Sequence, residues 1–189
     1  MISTWVRWSV AVKWMAGLVF LALAAWWFSS YRISEYRGGG HIRDSGAWTY
    51  PRYHVELDEI PLFENGEHRF RLAGLPSEEM SLELLVVGKT EKDRAELTRL
   101  KTNIAANLKD DKGRVVCKAG GIPSDGQRDN AWILKSSDDR AALYNRPCVD
   151  VQVHRKSSYI LELTLTQVDP SSPRAFLVPV FSGGGNELP

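Results

Sequence analysis

Apolar residues concentrate near the start of the chain in one run, Trp14 to Phe28, which has tryptophans at both ends. A helix that crosses a bilayer needs about 20 mostly apolar residues. Extending the run back to Trp8 reaches that length with Lys13 as its one charge. The stem of Lys13 is long enough to place its ammonium group at the level of the lipid headgroups. The pattern therefore predicts a transmembrane anchor within residues 1–30.

Tryptophans flank this run in two groups, as the aromatic belts of a membrane-spanning helix do. A cleaved signal peptide is the alternative, because Ala22-Leu23-Ala24 resembles a cleavage site that follows a positively charged start. We favour an uncleaved anchor, since the apolar run continues beyond that site. The predicted membrane-interface residues are Trp5, Trp8, Lys13, Trp14, Trp26 and Trp27.

Charges beside the run leave its orientation open. Arg7 and Lys13 lie on the N-terminal side, and Arg32, Arg37 and Arg43 lie on the other, so the positive-inside rule is close to a tie. A single early anchor before one folded domain usually exports that domain. We therefore expect a single-pass membrane protein whose C-terminal domain lies in the periplasm or the extracellular space.

Beyond the anchor, the pattern divides the chain into a linker, a domain and a tail. Residues 31–49 are polar and include Gly38-Gly39-Gly40, which predicts a flexible tether. From residue 50 onward, apolar and polar residues alternate in short runs bounded by turn formers, as in antiparallel sheets. Eight or nine such strands predict one β-sandwich over residues 50–182, followed by a frayed tail over 183–189. The fold class is mainly β, an antiparallel β-sandwich of jelly-roll or immunoglobulin-like architecture.

Individual strands follow from the same alternation. The stretch 90–108 suits a helix or a strand, and we interpret it as a helical turn near 91–97 followed by a strand. Asp110 to Gly113 is then a hairpin turn with glycine at the position that needs a positive φ. Residues 136–147 read as a loop with a helical turn. The predicted strands are 53–57, 70–72, 82–86, 99–109, 114–118, 132–134, 149–153, 159–165 and 175–181.

The charge balance excludes one large class of function. All 23 acidic residues lie beyond position 30, as do all but Arg7 and Lys13 of the 24 basic ones, so the folded part carries 22 − 23 = −1. Nucleic-acid binding needs clustered Lys and Arg. We expect no nucleic-acid partner.

The two cysteines, Cys117 and Cys148, both fall in the predicted exported domain. In an oxidising compartment, a disulfide between them would contribute roughly 3 kcal/mol by closing the loop. Two buried free thiols are the alternative, because the sequence does not give their separation in space. Neither cysteine has CxxC spacing, which disfavours redox catalysis and zinc.

Residues that could carry chemistry have simpler interpretations. The loop 125–130 offers oxygen ligands, but it lacks calcium-loop spacing and contains Arg128. Ser157-Ser158 lies near His154 and Asp150 in sequence, yet no nucleophile elbow is present. We predict no catalytic residue, no metal and no cofactor, and hence a protein that is not an enzyme.

An interaction surface is predicted where the tether meets the domain, at Trp48, Tyr50, Arg52 and Tyr53, because aromatic residues and arginine are enriched in binding hot spots. Core packing of these residues is the alternative. The predicted function is a binding or structural module that contacts the lipid bilayer and a protein partner. A carbohydrate- or lipid-binding domain, cleaved and secreted, is the alternative, with Trp132 or Trp48 as a stacking platform that burial of Trp132 would remove.

Overall fold

The computed structural model describes residues 3–44, 52–75, 79–89, 97, 99–123, 132–136, 141–168 and 174–184, and in the N-terminal helix the side chains of residues 12–27. The chain divides into two compact units, residues 1–34 and residues 35–189. The first unit contains one helix, α1 (Ser3–Ser34). Among the residues described, we find no helix that combines the length and the apolar character needed to cross a membrane.

The second unit is built from short strands and one 3-10 turn, Arg146–Cys148. The strands in its described part are β1 (His41–Asp44), β2 (Arg52–Glu56), β3 (Ile60–Pro61), β4 (Gly66–Ala73), β5 (Glu79–Val86), β6 (Asn103–Asp110), β7 (Val115–Gly121), β8 (Ile133–Ser136), β9 (Ala141–Tyr144), β10 (Val151–Gln152), β11 (Ser158–Thr166) and β12 (Phe176–Gly184).

These strands form two antiparallel sheets. The larger sheet has the order β1-β2-β12-β5-β9-β8, with β3 paired to β12 and β10 paired to β5. The smaller sheet has the order β4-β11-β6-β7. One cluster of buried side chains draws on both sheets, for example Leu84 and Phe181 from the larger and Leu72 and Leu161 from the smaller. The fold is therefore mainly β, with two sheets around a shared core as in a β-sandwich.

Alternation in the sequence predicts the inward faces of the central strands correctly. In β11, Tyr159, Leu161, Leu163 and Leu165 are buried and the residues between them are not. The stretch whose sequence suits either a helix or a strand contributes to β6. In β6, buried and partly exposed residues alternate in the same way. Each buried apolar side chain of this kind stabilises the fold by about 1.5–3 kcal/mol relative to its exposed state.

Two predicted elements differ from the structure. Residues 136–147, read as a loop, contain β9, which pairs with β5 and β8 and whose first three residues are all buried. The strand predicted over 149–153 is reduced to the two residues of β10. Asp150 has φ 53°, and its backbone N–H donates to the Ser81 hydroxyl at 2.9 Å, which interrupts an extended conformation before β10.

Residues 35–44, which lie within the predicted tether, are hydrogen-bonded to the domain. The backbone of this segment donates two hydrogen bonds to the edge strand β4, from Arg37 N to the Ala73 carbonyl at 2.8 Å and from Gly39 N to the Arg71 carbonyl at 3.0 Å. The following residues form β1, which pairs with β2 in the other sheet. The segment therefore joins the edges of both sheets and closes one side of the sandwich.

Tyr36 packs against the core at the start of this segment. Its hydroxyl donates to the Gly39 carbonyl at 2.8 Å, and burial raises the pKa of Tyr36 to about 12. Glu35 lies 3.9 Å from the guanidinium of Arg155. These contacts show that the ordered domain begins at residue 35 rather than at residue 50.

Cys117 and Cys148 form a disulfide, with their Cα atoms 5.3 Å apart. Cys117 lies on β7 and Cys148 ends the 3-10 turn, so the bond holds this turn against the smaller sheet. Both residues are buried. The structure therefore has the disulfide and not the alternative of two buried free thiols.

Loss of this disulfide is expected to lower the free energy of unfolding by about 3 kcal/mol, because the bond closes a loop between residues 31 positions apart. The measurement is urea unfolding of the wild type with and without reductant, beside the Cys117→Ala/Cys148→Ala variant. The variant should match the reduced wild type and should not respond to reductant. An unchanged unfolding midpoint of the wild type in reductant would contradict the prediction.

The predicted hairpin turn between β6 and β7 is confirmed, with Gly113 at φ 76°. Asp110 organises it: one carboxylate oxygen accepts from the backbone N–H groups of Lys112 at 3.0 Å and Arg114 at 2.8 Å. The other oxygen accepts from the Arg114 guanidinium at 2.7 Å. Desolvation raises the pKa of Asp110, but these hydrogen bonds and the charge of Arg114 outweigh it and hold the pKa below its usual range.

Acid is expected to weaken this hairpin. Because the pKa of Asp110 is lower in the folded state, its contribution is present above the unfolded pKa, about 4, and is lost as the pH falls through the folded value. The thermal unfolding midpoint of the wild type should therefore fall more steeply below about pH 4 than that of Asp110→Asn. Thermal melts between about pH 2.5 and 7 measure the difference, and parallel curves would refute it.

Candidate interaction surface

The structure describes only part of the surface predicted at Trp48, Tyr50, Arg52 and Tyr53. Trp48 and Tyr50 lie outside the described residues, and Arg52 is described only by its backbone at the start of β2. Tyr53 is 1% exposed. Tyr53 is therefore packed in the core, as in the alternative interpretation. Its side chain is not available to a partner.

Trp132 is also part of the core. It is fully buried, and its indole N–H donates to the Ile104 carbonyl at 2.8 Å. An indole in this position presents no ring face to a sugar. The stacking platform considered at Trp132 is therefore excluded.

The polar residues considered for catalysis serve local structure. The Ser81 hydroxyl donates to the Asp150 carboxylate at 3.1 Å, and Ser157 N donates to the His154 carbonyl at 2.9 Å in the turn before β11. The loop 125–130 lies outside the described residues. Within the part of the chain that is described, we find no group of three or more His, Cys, Asp or Glu placed to hold a metal ion.

A different group of residues forms a partly exposed aromatic surface at one end of the larger sheet. The rings of Phe63 and Phe176 meet edge to face, with centroids 5.4 Å apart and planes at 87°. The guanidinium carbon of Arg174 lies 5.8 Å from the centroid of Phe63. We name this group, together with Pro61 and Val87, the Phe63–Phe176 cluster.

Backbone pairing fixes the cluster to the sheet. Phe176 opens β12, where it is the register partner of Pro61 in β3, and its carbonyl accepts from Val87 N at 2.9 Å. Leu62, between Pro61 and Phe63, is fully buried and its N–H donates to the Ala175 carbonyl at 2.9 Å. The aromatic rings are therefore presented by a rigid support rather than by a free loop.

The chemistry of the Phe63–Phe176 cluster suits contact with a protein. Phe176 is 40% exposed and Val87 37% exposed, so both present apolar surface to solvent. Edge-to-face aromatic pairs and arginine over a ring each contribute about 0.5–1.5 kcal/mol when they form. Aromatic residues with arginine are the composition of binding hot spots.

Sequence reasoning missed this cluster, although part of the signal was present. The strand predicted over 175–181 alternates, so if Leu177 points inward, Phe176 must point outward. Phe63 gives no such signal, because it lies in a turn and is 113 positions away from Phe176. The pairing of β3 with β12 brings them together, and that pairing is not encoded locally.

The helix α1 has a second set of exposed apolar side chains. Each of the large apolar residues described between positions 12 and 27 is more than half exposed. The set is Val12, Trp14, Met15, Leu18, Val19, Phe20, Leu21, Leu23, Trp26 and Trp27. Of the predicted membrane-interface residues, Lys13, Trp14, Trp26 and Trp27 are thus exposed on α1, whereas the side chains of Trp5 and Trp8 lie outside those described.

Comparison of the sequence with models of known protein families and with curated proteins finds no match. The fold and the exposed surfaces therefore carry the functional argument.

Proposed function

We propose that this protein is a single-pass, membrane-anchored β-sandwich that acts as a protein-interaction module on the outer face of a membrane. In this proposal, α1 holds the chain in the bilayer and the Phe63–Phe176 cluster contacts a protein partner. The observation that carries the proposal is the exposure of large apolar side chains on every side of α1.

The distribution of these side chains around the helix is the key point. Consecutive residues of an α-helix are about 100° apart, so Leu18, Val19, Phe20 and Leu21 together cover its whole circumference. A surface helix of a water-soluble domain has one apolar stripe and one polar face. An apolar surface on all sides is stable only in an apolar environment, and a bilayer supplies one.

The length of the anchor requires residues beyond those with described side chains. Val12 to Trp27 gives about 24 Å of helix at 1.5 Å per residue, which is less than the ~30 Å hydrocarbon core. The helical backbone continues on both sides, and Trp8 to Phe28 gives about 31 Å with Lys13 as its one charge. A helix long enough to span the bilayer therefore requires these flanking residues.

The Cys117–Cys148 disulfide supports an outer-face location, because disulfides persist in oxidising compartments and are rare in the cytosol. The test is a pair of C-terminal fusions to reporters that are active only outside or only inside the membrane. The proposal predicts activity of the outside reporter. Activity of the inside reporter would refute the orientation and leave the anchor itself standing.

Truncation of the cluster should weaken partner binding without unfolding the domain. Loss of a central hot-spot side chain costs about 2 kcal/mol or more, so Phe176→Ala should weaken binding at least about 30-fold. The measurement is chemical cross-linking in cells followed by quantitative recovery of proteins bound to the detergent-solubilised full chain. Proteins that bind through the Phe63–Phe176 cluster should no longer be recovered with Phe176→Ala.

Val115→Ala is the matched control, since Val115 is 54% exposed and lies on β7 of the smaller sheet. It removes an exposed apolar side chain from the smaller sheet, whereas the cluster lies on the larger sheet. Proteins that remain with Val115→Ala and disappear with Phe176→Ala support the proposal. Identical recovery with wild type and both variants would refute the role of the cluster.

A further inference from the structure

The outward face of the smaller sheet carries basic side chains on three of its four strands. They are Arg69 and Arg71 on β4, Lys109 on β6 and Lys118 on β7. We call these four residues the basic face. Arg69, Arg71 and Lys118 are exposed, and Lys109 is partly exposed.

Strand register places these cations around one acid. Glu162 on β11 is the register partner of Arg69 on one side and of Asn107 on the other, and Asn107 is the partner of Lys118. The Lys109 ammonium lies 2.5 Å and the Arg69 guanidinium 3.7 Å from the Glu162 carboxylate. The hydrogen bond from Lys109 and the charges of Lys109 and Arg69 hold the pKa of Glu162 below its usual range, so it is ionised at neutral pH.

The charges on this face do not cancel. The outward acids of the face are Glu67 and Glu162, so the four cations leave a net charge of 4 − 2 = +2 on a chain whose folded part is −1. Neither Arg71 nor Lys118 forms an ion pair with any residue that the structure describes. Both remain available to an anionic ligand.

Neutral hydrogen-bonding groups lie among the cations. Asn103, Asn107, Thr164 and Thr166 point to the same side, and the Asn103 amide lies 3.4 Å from the Thr166 hydroxyl. Ala105 and Gly120 are register partners in the row beside Asn107, and a Cβ at Gly120 would meet no atom closer than 3.9 Å. On β11, β6 and β7, these small and polar residues therefore form an uncharged area beside the row of Arg69 and Lys118.

The dimensions suit an extended ligand. Neighbouring strands lie about 4.8 Å apart, so the row from Arg69 through Glu162 and Asn107 to Lys118 spans about 14 Å. Arg71 and Lys109 flank Ile160 in the next row. A linear ligand with repeating anionic groups could therefore contact cations on several strands at once.

We propose that the basic face binds a linear acidic polysaccharide, with arginine and lysine pairing its carboxylates and asparagine and threonine bonding its hydroxyls. A protein partner is disfavoured, because this face presents no aromatic anchor and only two large apolar residues, Ile160 on β11 and Val115 on β7. Nucleic acid is disfavoured by the near-neutral charge of the chain. This proposal is independent of the Phe63–Phe176 cluster.

The test is titration of the full chain in non-ionic detergent with polygalacturonate, neutral dextran and polyglutamate of similar length. Polygalacturonate should bind at low salt and weaken as screening increases. Exposed ion pairs contribute about 0.2–1 kcal/mol each, so Arg71→Gln/Lys118→Gln should weaken binding about twofold to thirtyfold. Glu162→Gln should strengthen it severalfold, because it removes the central negative charge.

Arg43→Gln/Lys89→Gln is the matched control, since it removes the same number of charges outside the smaller sheet, from β1 and from the turn after β5. It should change the affinity less than about twofold, and circular dichroism should show that each variant is folded. Equal weakening by the control would indicate a net-charge effect and overturn the site. Equal binding of polyglutamate, or no binding of polygalacturonate at low salt, would overturn the ligand class.

Discussion

Replacing Gly40 by alanine is expected to lower the free energy of unfolding of the domain by about 3–5 kcal/mol. Gly40 has φ +78°, a left-handed conformation that disfavours residues with a Cβ. A Cβ there would also clash with the Glu56 carbonyl oxygen and the Leu57 Cα, which are backbone atoms. The substitution must therefore move β1 away from β2.

The neighbouring glycine is a control within the same run. A Cβ at Gly39 would meet nothing within 4 Å, and its N–H, which donates to the Arg71 carbonyl, is kept in alanine. We expect Gly39→Ala to change the stability by less than about 1 kcal/mol. Urea unfolding of both variants tests the comparison.

The two variants separate a fixed segment from a flexible one. In a flexible tether, Gly39→Ala and Gly40→Ala would be equally harmless. Equal stabilities would therefore contradict the conclusion that residues 35–44 belong to the folded domain.

Replacing Trp132 by alanine is expected to cost about 3–5 kcal/mol, because it removes a fully buried indole and leaves a cavity in the shared core. The substitution also removes the 2.8 Å hydrogen bond that the indole N–H donates to the Ile104 carbonyl, and it leaves this carbonyl without that donor. An exposed tryptophan of a sugar-binding site would cost little when truncated. The measurement is the free energy of unfolding in urea.

Trp132→Phe separates the two contributions. It keeps most of the apolar volume and loses the N–H, so we expect a smaller cost of about 1–3 kcal/mol. A Trp132→Ala variant within about 0.5 kcal/mol of the wild type would contradict the buried position.

Much of the sandwich could be predicted from the sequence because its central strands face solvent on one side and core on the other. Leu161 and Leu163 in β11 alternate with polar residues, and the period of two is visible without knowledge of any partner strand. The β6–β7 hairpin was equally accessible, since Asp110 and Gly113 act within the turn itself.

The segment around Gly38 and Gly40 could not be predicted, because glycine has two opposite uses. It gives a linker its flexibility, and it also permits close approach of two backbones. A Cβ at Gly38 would clash with the carbonyl oxygen of Arg71, which lies 33 positions away in the sequence. Only the tertiary structure distinguishes the two uses.

The same reason limits prediction of the surfaces. The Phe63–Phe176 cluster and the basic face are assembled by strand pairing between distant parts of the chain. The sequence did not predict β9, because Ala141, Ala142 and Leu143 are all buried and apolar and polar residues do not alternate there. Patterns that depend on neighbours in space, rather than in sequence, are the ones that sequence reasoning misses.

Extraction of membranes from producing cells with alkaline carbonate tests the proposed anchor most directly. With the apolar surface of α1 inserted in lipid, we predict that the full-length chain stays in the membrane pellet. Release of the intact chain into the supernatant would contradict the proposal that α1 anchors this protein.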